Sequence, residues 1–363
     1  MVNFNHTVPK YSQLKEFLKG QMQQKTIAYE QQLPSENALA RQFGMSRHTV
    51  RQAFGDLENE GWIRREQGRG TFCVYQEKER CGRTIAVVTT YISEYIFPTI
   101  IRGIEEVLSQ AGYALVLANT SNDKMKEAQI LENLLDRDIA GFIIEPTKSA
   151  LENSNAGYFQ EFEKRGTPYL FIHAVYPDLD PAYIVMDDQQ GGSMAARHLL
   201  QLGHREIAGI FKSDDIQGLK RQAGFEAAFT EQNLSWRPEF RGNFETEQIG
   251  SYPYQFTKKL LQLAPRPSAI CCYNDQIALK VVEAIRDAGL RIPDDISVIG
   301  YDDSSLATAS DVRLTTIKHP KAEMGRRAAR LIIAMVEKQG EPKPCFLYQP
   351  ELITRNSTRA IVF

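Results

Sequence analysis

The chain has 363 residues, and at roughly 100–200 residues per domain this length implies two or three compact units and excludes a single small domain. Hydrophobic residues make up 42% and charged residues 24%, ordinary proportions that exclude a disordered or fibrous chain. The formal net charge of −2 divides unevenly, with +3 over residues 1–75 and −5 over residues 76–363, so a mildly basic small segment precedes a mildly acidic large one. No stretch approaches the roughly 18 uninterrupted apolar residues that a membrane span requires. The polar start (Asn3, Asn5, His6, Lys10) lacks the apolar core of a signal peptide, so a cytoplasmic location is expected. The five cysteines (Cys73, Cys81, Cys271, Cys272, Cys345) are odd in number and show no C-x-x-C spacing, and they read as free thiols.

Taken in chain order, the first segment reads as three helices and a hairpin. Leu14, Phe17, Leu18 and Met22 recur at helical spacing between Tyr11 and Met22. Pro34-Ser35-Glu36 opens a second helix with Leu39, Ala40 and Phe43 on one face, and Gly44 ends it. Ser46 is a good N-cap for a third helix from about Arg47 to Gly61, which turns Val50, Ala53, Phe54 and Leu57 inward and Arg47, His48, Arg51 and Gln52 outward. Two helices joined by a tight glycine turn form a helix-turn-helix. Trp62–Arg65 and Gly70–Val74 then read as short strands around Glu66-Gln67-Gly68-Arg69, which supplies a wing.

Residues 76–83 (QEKERCGR) are polar and aperiodic and are expected to be a linker. Beyond them, β-branched runs at Thr84–Thr90, Ala114–Ala118, Gly141–Glu145, Tyr169–His173, Ile207–Phe211, Ala269–Tyr273 and Ile296–Tyr301 alternate with amphipathic helical stretches. That alternation predicts an α/β body of two doubly wound parallel sheets, with a ligand crevice at the carboxyl ends of the strands. The domains expected are therefore 1–75, a linker at 76–83, and 84–363.

The run LPSENALARQFGMSRHTVRQAFGDLENEGWIRREQGRGTF resembles the GntR-type winged helix-turn-helix over residues 10–75. An exposed helix amino end with hydroxyls favours phosphate contacts, and Arg47 offers two donors suited to guanine O6 and N7. The resemblance implies operator contacts by Glu36, Ser46, Arg47, His48, Thr49 and Arg51, with the wing residues Gln67, Gly68 and Arg69 in the minor groove. Without the flanking pattern these polar side chains would read as an ordinary solvated face.

The remaining chain resembles the LacI/GalR-type effector domain, which is similar to periplasmic sugar-binding proteins. The likeness rests on TIAVVTTYISEYIFPTIIRGIEEVLSQAGY, GFIIEPT, VMDDQQGGSMAARHLLQLGHREIAGI, KRQAGFEAAF, AICCYNDQIALKVVEAIRDAGLRIPDDISVIGYDDS and LTTIKHP. A GntR-type head on such a body is the arrangement of the bacterial arabinose repressors, and YISEYIFPTIIRGIE and EPTKSA resemble that family. The helix-turn-helix and hinge helix of most LacI/GalR members are missing, so their hinge mechanism does not carry over.

The family likeness implies that Arg221, Asn274 and Asp302 hydrogen-bond an effector's hydroxyls and that Tyr95 and Phe97 close the cleft; Glu145 and His173, at strand ends, join them. Each also has a structural alternative: Asp302 could cap a turn, Asn274 the next helix, and Arg221 could be a surface charge. The helix Phe97–Gln110, with Ile100, Ile101, Ile104 and Leu108 apolar, could serve either a dimer interface or the core. No phosphate loop, nucleophile elbow or metal motif occurs, and the six histidines are scattered. His198 and His204 have poor ligand spacing and read as structural. No metal or cofactor is expected. The resemblance implies a repressor that binds double-stranded operator DNA as a homodimer on a palindrome and is released by L-arabinose. A different pentose, hexose or phosphosugar is the alternative effector, and a sugar-metabolising enzyme with a fused regulator domain is the competing class.

Overall fold

A computed structural model describes residues 9–23, 26–75 and 83–361, and the chain divides into two compact units, Met1–Arg80 and Cys81–Phe363. Of the expected linker only Arg83 is among the described residues, and Cys81 lies outside them.

In the first unit, α1 (Lys10–Gln23) places Leu14, Leu18 and Met22 in the core. Helix α2 (Glu36–Phe43) starts where the Ser35 hydroxyl accepts the Ala38 N–H and stops at Gly44, whose φ of +60° is the left-handed conformation that glycine adopts without strain. Helix α3 (Arg47–Asn59) is capped by Ser46 and buries Val50, Ala53, Phe54 and Leu57. It ends two residues before the expected Gly61, because the backbone already leaves the helix at Glu60 and Gly61 is itself left-handed. Strands β1 (Ile63–Glu66) and β2 (Gly70–Cys73) pair antiparallel from Ile63–Cys73 to Glu66–Gly70 and form the wing.

The second unit alternates strand and helix. Its chain runs β3 (Thr84–Thr89), α4 (Phe97–Gln110), β4 (Ala114–Asn119), α5 (Lys124–Leu135), β5 (Gly141–Ile144), α6 (Ala156–Arg165), β6 (Tyr169–Ile172) and β7 (Ala182–Met186). It then crosses to α7 (Asp188–Gln201), β8 (Ile207–Lys212), α8 (Ile216–Glu231), β9 (Arg241–Phe244), α9 (Tyr252–Leu260), β10 (Ala269–Cys272), α10 (Asp275–Asp287), β11 (Ser297–Asp302) and β12 (Thr315–Lys318). It returns through α11 (Lys321–Val336) and β13 (Cys345–Tyr348), and crosses a third time to β14 (Glu351–Ile353). One sheet has the order β13-β7-β6-β5-β3-β4 and the other β14-β12-β11-β10-β8-β9. The pairings are parallel except at the β14 edge. The body is thus two doubly wound subdomains joined by three crossovers.

Strands β7, β9, β12, β13 and β14 were not among those expected from the sequence. Most are short, polar or at an edge, where one strand neighbour and partial exposure leave little apolar signal. On α4, Ile100, Ile104 and Leu108 are fully buried and Ile101 is half-buried, so the helix packs in the chain's own core. Its tight partner is α11: a Cβ on Gly103 would lie 2.4 Å from the Ala322 carbonyl oxygen, and one on Gly325 2.2 Å from that of Ile100. Among the described residues no helix is long and apolar enough to cross a membrane.

Candidate functional site

The outward end of α3 presents Ser46, Arg47 and His48 to solvent, with Thr49 half-buried behind them. The Ser46 hydroxyl accepts the Thr49 N–H at 3.1 Å and pairs with the Thr49 hydroxyl at 2.8 Å, so both build the cap as well as the surface. Arg51 is exposed, and its guanidinium donates to the half-buried Glu36 carboxylate at 3.2 Å and 3.3 Å. That partner on α2 holds the arginine fork in place ahead of any other contact. Gln67, Gly68 and Arg69 form the exposed turn of the wing, with Gly68 at φ +76°. Arg69 pairs with Glu66 at 2.9 Å. Two contacts escaped the sequence reading: Arg65 donates to the Arg51 carbonyl at 3.3 Å, and the Gln32 side-chain amide donates to the Arg69 carbonyl at 2.8 Å. They brace the wing against α3 and against the segment preceding α2.

The body holds a cavity of about 200 Å³ between its two sheets, at the carboxyl ends of the strands. All seven residues expected there line it: Tyr95 from the loop after β3, Phe97 opening α4, Glu145 and His173 after β5 and β6, Arg221 on α8, Asn274 before α10, and Asp302 ending β11. Arg221 is only 2% exposed, which excludes the surface-charge alternative. Asn274 lines the cavity, and its Oδ1 caps α10 by accepting the Ile277 N–H at 2.9 Å, the structural role weighed for it.

Two charged groups face each other across this space. On one side, Glu145 accepts the Thr90 N–H and hydroxyl at 2.8 Å and 2.6 Å and pairs with His173 Nδ1 at 2.8 Å. A carboxylate can only accept, so Nδ1 carries the proton of this pair, while Nε2 is buried without a hydrogen-bond partner. On the other side, Arg221 Nε donates to Asp188 at 2.8 Å, Nη1 donates to the Tyr273 carbonyl at 2.8 Å, and Nη2 lies 3.6 Å from Asp302 Oδ1. The guanidinium also stacks 3.6 Å from the Tyr301 ring centroid. Burial opposes the charge on Arg221, but Asp188 and Asp302 outweigh it and hold the guanidinium charged, whereas burial lifts the Asp188 carboxyl above its ordinary range. Asp302 Oδ1, for all its nearness to Arg221, is a second buried cavity atom with no hydrogen-bond partner.

Three of the seven sit at positive φ: Tyr95 at +58°, His173 at +67° and Asp302 at +93°. Such conformations cost of order 1–3 kcal/mol each for a non-glycine residue and cluster at functional sites. Tyr95 spans the subdomains, donating to Asp302 Oδ2 at 2.7 Å and accepting the Asp275 N–H at 3.2 Å. Asn122 to Thr246 at 2.6 Å and the Ile216 N–H to Ser149 at 3.0 Å add to the closure. The sequence reading missed Lys212, which ends β8 inside the cavity and pairs with Asp214 and Asp215 at 3.0 Å and 3.1 Å. Burial opposes its charge too, but the two carboxylates together raise its pKa above the usual lysine range. Its position at a strand end was the signal available.

His198 bonds Thr358 at 3.0 Å, and His204 bonds Ser268 at 2.9 Å and the Arg359 carbonyl at 3.1 Å, as expected of structural histidines. Among the described residues no group of three or more His, Cys, Asp or Glu side chains is placed to hold a metal ion.

Known proteins place this architecture. The family profile for bacterial regulatory proteins of the gntR family matches residues 10–73, and that for the periplasmic binding protein-like domain matches residues 196–358. The arabinose metabolism transcriptional repressor of Geobacillus stearothermophilus is 45% identical over 98% of this chain and 99% of its own length. The repressor of the same name from Halalkalibacterium halodurans is 42% identical over 96% of both chains. A LacI family transcriptional regulator from Enterococcus faecium, solved with bound ribose, is 26% identical, with a TM-score of 0.67 over 77% of this chain and all of its own. Relatives that span the whole length are transcriptional repressors, which sets aside the enzyme reading, and the chain belongs to the family of bacterial arabinose-metabolism transcriptional repressors, a GntR-type winged helix-turn-helix joined to a LacI-like binding body.

Proposed function

We propose that L-arabinose is the effector, that it occupies the cavity between the subdomains, and that its binding releases the protein from a palindromic operator bound by a homodimer in the cytoplasm. In this reading residues 1–75 bind DNA, 76–83 link, and 84–363 bind sugar and dimerise. Glu36, Ser46, Arg47, His48, Thr49 and Arg51 contact the operator, with Gln67, Gly68 and Arg69 at the minor groove. Arg221, Asn274 and Asp302 take the sugar's hydroxyls from one subdomain and Glu145 and His173 from the other, while Tyr95 and Phe97 cover it. One observation carries this: in a cavity of about 200 Å³, polar groups from both subdomains converge and leave the buried His173 Nε2 and Asp302 Oδ1 without a hydrogen-bond partner. A buried polar atom without a partner costs about 1–3 kcal/mol, so a polyol that supplies both partners is strongly favoured over an apolar ligand. Each cavity cation is already matched, Arg221 by Asp188 and Lys212 by Asp214 and Asp215, which disfavours a phosphosugar.

Calorimetry with L-arabinose, D-galactose, D-ribose and a phosphosugar tests the assignment, together with operator titrations in the presence of each. Heat and operator release with L-arabinose are expected. Heat from the phosphosugar and none from L-arabinose overturns the reading.

A further inference from the structure

The loop that follows β11 carries Asp302 and Asp303 in succession at φ +93° and +46°. Two adjacent non-glycine residues at positive φ persist only where their surroundings hold them. From within its own subdomain, Asp275 accepts the Ser304 N–H at 2.7 Å and its hydroxyl at 3.0 Å and takes the Thr316 hydroxyl at 2.7 Å, and Arg355 pairs with Asp303 at 2.6 Å.

A further support reaches in from the other subdomain. Lys321 is the first residue of α11, the helix packed closely on α4 through Gly103 and Gly325. Its ammonium donates to the Asp302 carbonyl at 2.7 Å, the Asp303 carbonyl at 2.7 Å and the His319 carbonyl at 3.3 Å. An ammonium has three donors, and here all three meet backbone oxygens. The location is otherwise unfavourable, because a cation at a helix amino end opposes the helix dipole. Burial also pulls its pKa down, against the pull of Asp302 and Asp303. The carbonyl cradle is what offsets these costs.

We propose that Lys321 is a positioning residue for the effector: it ties the second crossover, and with it the α4–α11 pair, to the backbone of the loop that presents Asp302 to the cavity. This inference rests on the reading of Asp302 as an effector ligand. Lys321 itself does not line the cavity and touches that ligand only through the loop backbone. Fixing the loop from both subdomains makes the position of Asp302 dependent on the angle between them.

The full chain is tested as Lys321→Met, with Lys321→Gln as the second variant should the first fail to fold. Sugar affinity for L-arabinose is expected to fall about tenfold, with operator affinity in the absence of sugar unchanged. A double-mutant cycle with Asp302→Asn separates the two claims. Asp302→Asn alone tests the ligand reading, and wild-type affinity in that variant overturns both. If Lys321 acts through Asp302, adding Lys321→Met to Asp302→Asn costs nothing more; fully additive losses overturn the proposal. Where Asp302→Asn binds too weakly to titrate, amide exchange of the sugar-free Lys321→Met protein decides. The Asp303 and Ser304 amides, held by Thr316 and Asp275, are expected to exchange faster, while unchanged rates refute the strut.

Discussion

Replacing Arg221 by alanine removes one partner of a buried ion pair, and the size of the effect follows from what is left behind. Asp188 is 2% exposed, and Arg221 is the cation that faces it at 2.8 Å. Breaking a buried pair by deleting one side costs about 3–5 kcal/mol, because the survivor is left charged and unsolvated. Against a total stability of roughly 5–15 kcal/mol this is a large fraction. With about 2–4 °C of Tm per kcal/mol for a domain of 150–250 residues, the melting transition of the body is expected to drop by about 6–20 °C. Differential scanning calorimetry of the full chain reads this on the body's own transition, leaving that of the head in place. Sugar binding should be lost as well, so a repressor that no longer responds to sugar would have two causes. Asp188→Asn in the Arg221→Ala background separates them: removing the stranded carboxylate should recover much of the lost Tm while sugar binding stays absent. If Arg221→Ala melts within about 1 °C of the parent, or if Asp188→Asn lowers the melting point further, the pair is not what holds this part of the body and the reasoning fails.

The other predictions concern the head and the pH response. Arg47→Ala and Arg51→Ala should each weaken operator binding by about 1–3 kcal/mol if the arginine reads a guanine with both donors, with sugar binding unchanged; operator affinity unaltered from the parent in both variants would refute the docking face. Gly68→Val forces a β-branched residue to φ +76° at the tip of the wing. It should therefore lower operator affinity and flatten its salt dependence while the body melts as before, as read by titration at several salt concentrations. The Asp275 carboxyl is pushed up to about 7, first by burial and then by Asp302, from an ordinary value of about 3.9 in the unfolded chain. Between those two values the folded body binds more protons than the unfolded chain, so its stability should fall as pH rises from about 4 to about 7. Asp275→Asn should remove that slope in melts recorded across the window, and an unchanged slope would place the titrating group elsewhere.

The head was legible almost residue by residue, because its signals are local. Ser35, Gly44 and Ser46 each act within four residues of their own position, and the capping bonds and left-handed turn are where the sequence puts them. The buried strands β3, β5, β6, β8, β10 and β11 were legible for a similar reason, since strands covered on both faces read as continuous apolar runs. The polar β12 and the β14 edge have no such run. Their pairing depends on crossovers that bring residue 316 beside residue 353, and nothing within either segment announces it.

The cavity divides along the same line. Glu145 and His173 could be proposed because a strand end in this topology points at the crevice, whereas Arg221, Asn274 and Asp302 came from the family likeness. The groups around them were not legible, since Asp188, Tyr273 and Tyr301 reach Arg221 from three separate elements, and Lys321 reaches Asp302 only by way of the return crossover. The same contacts bear on how an effector exerts leverage. Tyr95 already bonds Asp302 across the cleft, and Asn122 already bonds Thr246, so protein groups alone supply part of the closed arrangement. A ligand shifts such an equilibrium only by its difference in affinity between the open and closed forms. By reciprocity, operator DNA must weaken sugar binding by the same factor that sugar weakens operator binding. On the proposed reading that difference comes from atoms satisfied only when sugar and both subdomains are together, and among the cavity-lining side chains His173 on one side and Asp302 on the other hold the buried atoms, Nε2 and Oδ1, that have no hydrogen-bond partner.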